Sequence, residues 1–303
     1  MGIYINSGGF SMKKFVLMTC IVCTILTLPS LSHGAEYMAG VRAGYFAWQP
    51  FMKEVGGSGM SDITWGNGVL YGPIFSILFT DNLSLSVSAL LGKQSTHWQS
   101  NFSYFDSDTR VTGNYYFESF RADVDSALSY SLSQYIKVFA GYKYQYLNMD
   151  YKYTELRTDL LNEIDEVYVD SINISANKFH GPALGVGFTY PMTDVYFFSM
   201  NVSGLYMTGD IEFKDEGYDN DNLSGSRILN PKAIAKFEYP VRQIGVNVEP
   251  VIGMNPGNNL PIITVGVRYQ RSRFKINETD DAFEYKWLDD TIVGAFVSIV
   301  FMF

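Results

Sequence analysis

Charged residues occur at every second position within several otherwise apolar stretches of the chain. Arg121, Asp123 and Asp125 have this spacing, and Lys137 and Lys143 follow in the next such stretch. Residues two apart share one face of a β-strand, so opposite charges on neighbouring strands can pair. The positions of this kind are Arg42, Arg121, Asp123, Asp125, Lys137, Lys143, Lys236, Glu249 and Arg268. If these faces enclose an interior, they form either a salt-bridged plug or a narrow polar pore.

Side chains suited to catalysis are scarce. Beyond residue 34 the chain has two histidines, His97 and His180, and no cysteine. His97 is a candidate general base only if a partner such as Asp106 or Asp108 orients it, and a solvated loop histidine is the simpler interpretation. Nothing resembles a nucleophile elbow, a phosphate-binding loop or a zinc motif. The sequence therefore predicts neither an enzyme nor a bound cofactor.

Three stretches are strongly acidic and suggest a second kind of chemistry, the binding of hard cations by carboxylate oxygens. However, residues 219–222 lack the glycine and the distal glutamate of a calcium loop at the required spacing. Solvated, self-repelling loop charge is the favoured interpretation, weak divalent binding is the alternative, and no metal site is predicted. The acidic residues are Glu155, Asp159, Glu163, Asp165, Glu166, Asp170, Asp210, Glu212, Asp215, Glu216, Asp219, Asp221, Glu278, Asp280, Asp281 and Glu284.

The first 34 residues predict a leader and a secretory signal peptide. Lys13 and Lys14 precede an apolar run over 15–28, which is too short to span a bilayer as a helix. Cleavage is expected after Gly34 or Ala35, and Met12 is the expected translation start. Both cysteines of the chain lie inside this segment and away from the cleavage site, so we expect no lipidation, disulfide or thiol chemistry in the mature protein.

Residues 35–303 form one predicted domain, and their dominant pattern is the two-residue period of β-strands. The net charge of the full chain is −9, which argues against nucleic acid as a partner. Apolar residues alternate over 37–47, 69–79, 83–91, 120–130, 136–146, 182–190, 196–206, 233–252, 263–269 and 293–303. The alternation changes parity near Pro240, which indicates a turn or a bulge.

The connections between these strands alternate between short and long, as in transmembrane barrels. The long ones are residues 50–64, 94–113, 148–175, 209–230 and 275–290. If all short connections are periplasmic, both termini are periplasmic and the strand count is even. The prediction is therefore an antiparallel transmembrane β-barrel of about ten strands, with 233–252 as one strand bulged near Pro240. Eight or twelve strands remain open.

Aromatic residues at strand ends favour a membrane barrel over a soluble sandwich or lipocalin-like barrel. Aromatic rings prefer the membrane–water interface, since one part of the ring is apolar and another tolerates water. These residues share the apolar parity: Tyr37, Tyr45, Phe79, Tyr130, Tyr190, Tyr196, Tyr206, Tyr269, Phe301 and Phe303.

The last strand, 293–303, alternates apolar residues and ends in Phe303, with Phe301 two positions before it. This segment resembles the C-terminal assembly signal of Gram-negative bacterial outer-membrane β-barrel proteins. The resemblance implies recognition by the outer-membrane barrel assembly machinery and a location among outer-membrane lipid and lipopolysaccharide.

Three functions follow as hypotheses. The favoured one is a structural or surface-exposed barrel for adhesion or binding, with acidic, tyrosine-rich extracellular loops, an unknown ligand and a salt-bridged lumen. A narrow porin-like channel is the alternative. An omptin-like surface hydrolase is more distant, because omptins place an Asp two residues before the catalytic His and this chain has Ser95 and Lys178 at those positions.

Overall fold

The computed structural model describes residues 36–51, 65–103, 109–159, 164–220, 229–231, 235–257, 260–276 and 287–303. The predicted signal peptide lies outside these residues. No helix among them is long and apolar enough to cross a membrane.

Nearly all of the described chain is β-strand. The strands are Glu36–Gln49 (β1), Gly66–Leu78 (β2), Leu83–Ser103 (β3), Thr109–Ser131 (β4), Ile136–Asp159 (β5), Ile164–Pro191 (β6), Tyr196–Asn220 (β7), Leu229–Pro231 (β8), Ala235–Met254 (β9), Ile262–Ile276 (β10) and Trp287–Met302 (β11). Strand β8 has three residues and pairs only with the end of β7.

The ten long strands close into a barrel in which each pairs antiparallel with the next. The ring follows chain order from β1 to β7, continues through β9, β10 and β11, and returns to β1. At the closing seam, Phe303 donates its backbone N–H to the carbonyl of Tyr37 at 2.8 Å. The prediction of an antiparallel ten-stranded barrel is confirmed.

The parity change near Pro240 is not a bulge. Strand β9 is one strand, as expected, but its register with β7 runs without a shift from Tyr196↔Met254 to Asp215↔Ala235. Below Pro240 the outward side carries Ile244 and other exposed apolar residues, whereas Tyr239 and Val241 lie buried on the inward side. The apolar residues change sides because the surroundings of the strand change along its length. The backbone register with β7 stays the same along the strand.

Strand β6 contains the irregularity instead. Its pairing with β5 shifts between Leu147 and Met149, and its pairing with β7 shifts between Ser175 and Lys178. The side chain of Asn177 is fully buried there. It donates to the carbonyl of Leu147 at 3.3 Å and accepts the N–H of Glu212 at 3.1 Å. Asn177 thus bridges the two strands at the place where the ladder is interrupted.

Three of the expected long loops are largely strand. Residues 94–103 and 109–113 belong to β3 and β4, 148–159 and 164–175 to β5 and β6, and 209–220 to β7. These strands have 21 to 28 residues, whereas about 9–11 suffice to cross a bilayer. Continuous backbone pairing extends the sheet well beyond the membrane, as the alternation that continues from Tyr142 to Tyr153 predicts.

The short connections at the opposite end are tight turns fixed by hydroxyl groups. Thr80, Ser133 and Thr193 each accept the backbone N–H of the residue three positions later, at 3.0, 3.2 and 2.9 Å. Such side-chain-to-backbone bonds favour turns. They are placed where the sequence predicted the periplasmic turns.

An apolar band surrounds the barrel between two belts of exposed aromatic residues. Leu184, within the band, is 68% exposed to the surroundings of the barrel. The lower belt is Phe79, Tyr130, Tyr190, Tyr196, Phe301 and Phe303, and the upper belt is Tyr45, Tyr71, Tyr142, Tyr206 and Tyr269. Tyr37 of the predicted girdle is half-buried. Ten residues of tilted strand separate Tyr196 from Tyr206, which is about 25 Å along the barrel axis, the height of a bilayer's apolar layer.

Candidate functional site: the closed barrel interior

The centre of the interior is a layer of charged side chains at the level of the upper aromatic belt. Asp125 on β4 and Lys143 on β5 are directly paired in register, and Lys143 Nζ lies 2.8 Å from Asp125 Oδ1. The same ammonium lies 3.5 Å from Asp123 Oδ2. Asp123 also pairs with Arg121 at 3.1 Å. Four of the nine predicted residues therefore form one network on two adjacent strands.

This network reaches across the lumen. Arg268 on β10 donates to Asp125 Oδ2 at 2.8 Å. Strands β4 and β10 are five strands apart in either direction around the ring, which is the full diameter. Arg268 also donates to Asn247 at 3.2 Å, which holds the guanidinium against its own wall of the barrel.

A second ion pair lies beside the first network. Arg42 on β1 contacts Glu249 on β9 at 3.0 Å and donates to Ser298 at 3.0 Å. Its guanidinium also lies 4.1 Å above the ring of Phe296, a favourable cation–π geometry. Three interactions, one with β9 and two with β11, fix this arginine inside the barrel.

The structure does not bring all nine predicted residues together. Lys137 lies nearer the periplasmic end, over Gly187 and apart from Lys143. The side chain of Lys236 lies outside the described residues. The interior on this periplasmic side is lined by small and hydroxyl residues that are only half-buried, such as Ser86 and Ser88. The interior is thus open toward the periplasm, and 32% of the Asp125 side chain is exposed there.

Sequence reasoning missed Asp290, which is buried above the charge layer. Trp48 on β1 donates its indole N–H to Asp290 Oδ1 at 2.7 Å. Arg121 Nη1 lies 3.7 Å from Asp290 Oδ2, an ion pair longer than a hydrogen bond. Asp290 has the same parity as the inward residues of β11, but it precedes the apolar run of that strand. Asp290 could have been predicted by extending the alternation of inward residues in β11 toward the start of the strand, before its apolar run.

Around Asp290 is a layer of buried amides and hydroxyls. Gln243 donates to Ser272 at 2.7 Å, and Gln94 donates to the carbonyl of Phe46 at 3.4 Å. Gln145 and Gln270 are also fully buried. Both side-chain amide atoms of Gln145 and of Gln270 have no hydrogen-bond partner there, so the layer is only partly satisfied.

Farther out, an apolar layer fills the barrel beyond the upper belt. Phe274 packs against Phe51 with ring centroids 4.8 Å apart and against Phe179 at 5.1 Å. Phe117 packs against Trp48 at 5.5 Å. Other members are Leu147, Met149, Met207, Ile211, Tyr239, Val241, Ile276 and Leu288, none more than 8% exposed. The sequence predicts a lumen filled by charge, and the structure adds this apolar layer, which was not predicted.

Neither histidine reaches the interior. His97 on β3 and His180 on β6 lie at outward, exposed positions. His180 stacks on Tyr142, and its Nδ1 lies 2.6 Å from the tyrosine hydroxyl. Asp106 and Asp108, the expected partners of His97, lie outside the described residues. Most of the acidic stretches also lie outside the described side chains, and the described part of the chain contains no group of three or more potential metal ligands.

Comparison with known proteins gives no family by sequence. No family model and no curated protein matches the chain. Three solved structures of low sequence identity have a strand arrangement similar to that of this chain. The outer-membrane protease OmpT from Escherichia coli has 9% identity and a TM-score of 0.44, covering 90% of this chain and 98% of its own. The toluene transporter TbuX of Ralstonia pickettii has 9% identity and a TM-score of 0.32, with 90% of both chains covered. The attachment invasion locus protein Ail of Yersinia pestis has 8% identity and a TM-score of 0.28, with 90% and 100% covered.

The location follows from the molecule itself. A closed barrel leaves no unpaired strand edge, and an apolar outer band between aromatic belts requires lipid around it. The protein is a transmembrane β-barrel of the bacterial outer membrane. In this barrel the tight turns mark the periplasmic side, and the long strands β3–β7 project on the other side.

Proposed function

We propose that this outer-membrane barrel is a surface-exposed binding protein with a closed lumen, and that the projecting sheet of β3–β7 carries its binding surface. The observation that carries the proposal is the combination of a sealed interior with a sheet extended far beyond the membrane. A barrel that conducts solutes needs a continuous polar path, whereas a binding barrel needs outer surface.

The sealed interior argues against a channel. The apolar layer has contributions from strands on all sides of the barrel, and Phe117, Phe179 and Phe274 are at most 1% exposed. Below it, the bond between Asp125 and Arg268 spans the lumen. Water and small solutes entering from the periplasm meet two successive barriers, one charged and one apolar.

The extended sheet supports a binding role. The outward side of β5 becomes polar at Asn148 and Asp150, and the strand continues to Asp159. At about 3.3 Å per residue, this adds roughly 35 Å of strand beyond that point. Paired backbone holds such a surface rigid, and a rigid surface loses little conformational entropy when it binds. His97 and His180 face outward and give no support to a catalytic site.

The hairpin of β5 and β6 gives the sharpest test. Lys152 pairs with Ser171, so residues 153–170 can be replaced by an Asn-Gly turn without changing the register below. Expressed in a non-adherent laboratory strain, the full protein should promote adherence to at least one member of a panel of immobilised matrix proteins and glycans. The shortened protein should lose this adherence and still form a heat-modifiable barrel.

The control is the double variant Asp123→Ala/Asp125→Ala, which alters the interior and leaves the outer surface unchanged. It should adhere like the wild type.

Conductance of the purified wild-type protein in a planar bilayer should be negligible. Unchanged adherence after hairpin shortening, or a large stable wild-type conductance, would contradict the proposal and favour the channel.

A further inference from the structure

The outer wall of the barrel has a groove at the upper edge of its apolar band, over strands β6, β7, β9 and β10. Its volume is about 640 Å³. The lining residues include Leu184, Gly204, Val246, Arg271 and Arg273. Most of them belong to the outward parity of their strands, so the groove faces the lipid and not the lumen.

Gly204 forms the floor of the groove. In register it lies between Leu184 on β6 and Val246 on β9, both of which are exposed apolar residues. A Cβ placed on Gly204 would meet no atom within 4 Å. The missing side chain therefore leaves a notch between two apolar neighbours, with the shape and polarity that suit a hydrocarbon chain.

Two arginines border the groove on the side away from the periplasm. Arg271 and Arg273 on β10 donate to the two carboxylate oxygens of Asp289 at 2.8 and 2.9 Å. They remain 47% and 53% exposed. A guanidinium has five N–H donors, so each arginine keeps donors for another anion. Two positive charges share one carboxylate, and Asp289 holds them in place.

More positive charge lies directly beside this pair. Lys275 pairs in register with Arg242, and both have the outward parity of Arg271 and Arg273. Outward carboxylates on the neighbouring strands, Asp210, Glu212 and Glu238, lie farther from the apolar band than Arg242. The first charged level above the apolar groove is therefore basic.

We propose that this groove and the Arg271–Arg273 pair bind one lipopolysaccharide molecule of the outer leaflet. One acyl chain lies over Gly204, and a phosphate of the lipid accepts hydrogen bonds from the two guanidiniums. Paired arginines suit phosphate because their planar donors match its oxygens. The inference rests on the orientation of the barrel in the outer membrane and not on the binding role of its projecting sheet.

The test measures lipid binding to purified, detergent-solubilised protein by native mass spectrometry, with lipopolysaccharide as the probe. Two variants disrupt the proposed site: Arg271→Gln/Arg273→Gln removes the phosphate donors, and Gly204→Leu fills the groove. Two matched controls lie elsewhere on the outer wall. Lys93→Gln removes an exposed cation that forms a salt bridge with Glu118, and Ala295→Leu adds the same side chain as Gly204→Leu to the apolar band of β11. Heat-modifiable migration verifies that each variant is folded.

We expect each site variant to weaken lipopolysaccharide binding about tenfold or more, the double arginine variant because it loses charge-assisted hydrogen bonds and Gly204→Leu because its side chain occupies the space of the acyl chain. The controls should bind like the wild type. Inorganic phosphate, dephosphorylated lipid A and phosphatidylglycerol should not compete at equal concentration. Equal binding by all variants, equal loss in Lys93→Gln, or equal competition by any of these three compounds would overturn the proposal. Adherence and conductance do not enter this measurement, so its failure is distinct from failure of the proposed function.

Discussion

Asp125 and Arg268 are 143 residues apart in the chain, yet they form a 2.8 Å hydrogen bond across the full width of the barrel. Because Lys143 holds the other carboxylate oxygen of Asp125, the aspartate is bonded to both walls. The bridge therefore joins opposite walls of the barrel through one carboxylate.

Removing one partner of this bridge should destabilise the barrel. Asp125→Ala leaves Arg268 as a buried cation with one partner fewer, which costs about 3 kcal/mol in the free energy of unfolding. The double variant Asp125→Ala/Arg268→Ala should lose less than the sum of the single changes, because the two residues interact directly. Denaturant unfolding in detergent micelles measures all three. Additive losses would show that the bridge is not formed in solution.

The Asp125→Ala substitution should leave the conductance of the barrel in a planar bilayer low. The apolar layer around Phe179 and Phe274 lies beyond the charge layer and stays in place when Asp125 is changed.

Phe179→Ala should lower the free energy of unfolding by about 3–5 kcal/mol, since a fully buried ring is replaced by a cavity. Outward-facing His97→Ala should change it by less than about 0.5 kcal/mol. Similar values for both variants in denaturant unfolding would disprove the apolar core.

Asp290 should make stability depend on pH. It lies beyond the apolar run of β11, and burial raises the pKa of its carboxyl from 3.8 to about 6, although Arg121 and the Trp48 indole oppose the increase. The folded state then binds more protons than the unfolded state between these values. Stability should therefore fall as pH rises from about 4 to 6, by at most about 3 kcal/mol.

Replacement of that carboxyl tests the assignment. Asp290→Asn keeps an oxygen for the indole N–H of Trp48 and removes the titration, so its unfolding midpoint in denaturant should change little between pH 4 and 6. The adjacent outward residue gives the control, because Asp289→Asn should retain the pH dependence of the wild type. If Asp290→Asn retained the wild-type slope, another group would be responsible.

Phe303 should matter for assembly more than for stability. The residue is 75% exposed, while its backbone N–H and carbonyl bond to Tyr37 at the closing seam. Phe303→Ala keeps those backbone bonds and removes the terminal aromatic ring. We expect less folded barrel in the outer membrane and more periplasmic degradation, with an unchanged unfolding midpoint of the purified protein. Val297→Ala, on the same face of β11, is the control and should assemble normally.

The sequence by itself determined the architecture and the location. Alternation over segments such as 136–146 and 293–303 requires strands with one apolar face. The even strand count follows because the short turns lie on one side of the membrane, together with both termini. The signal for a membrane was equally local, since each tyrosine of the belts stands on the apolar parity of its own strand. These properties depend on neighbours two residues apart, which a sequence displays directly.

Only the tertiary structure decided what fills the barrel. The residues that close it come from strands far apart in the chain, such as Trp48 with Asp290 and Phe51 with Phe274. Phe51 and Asp290 fall in segments that the sequence predicts as long connections, because an apolar side chain looks the same whether it faces lipid or a packed interior. Which face is which depends on where each strand leaves the membrane, and that is set by register around the closed ring.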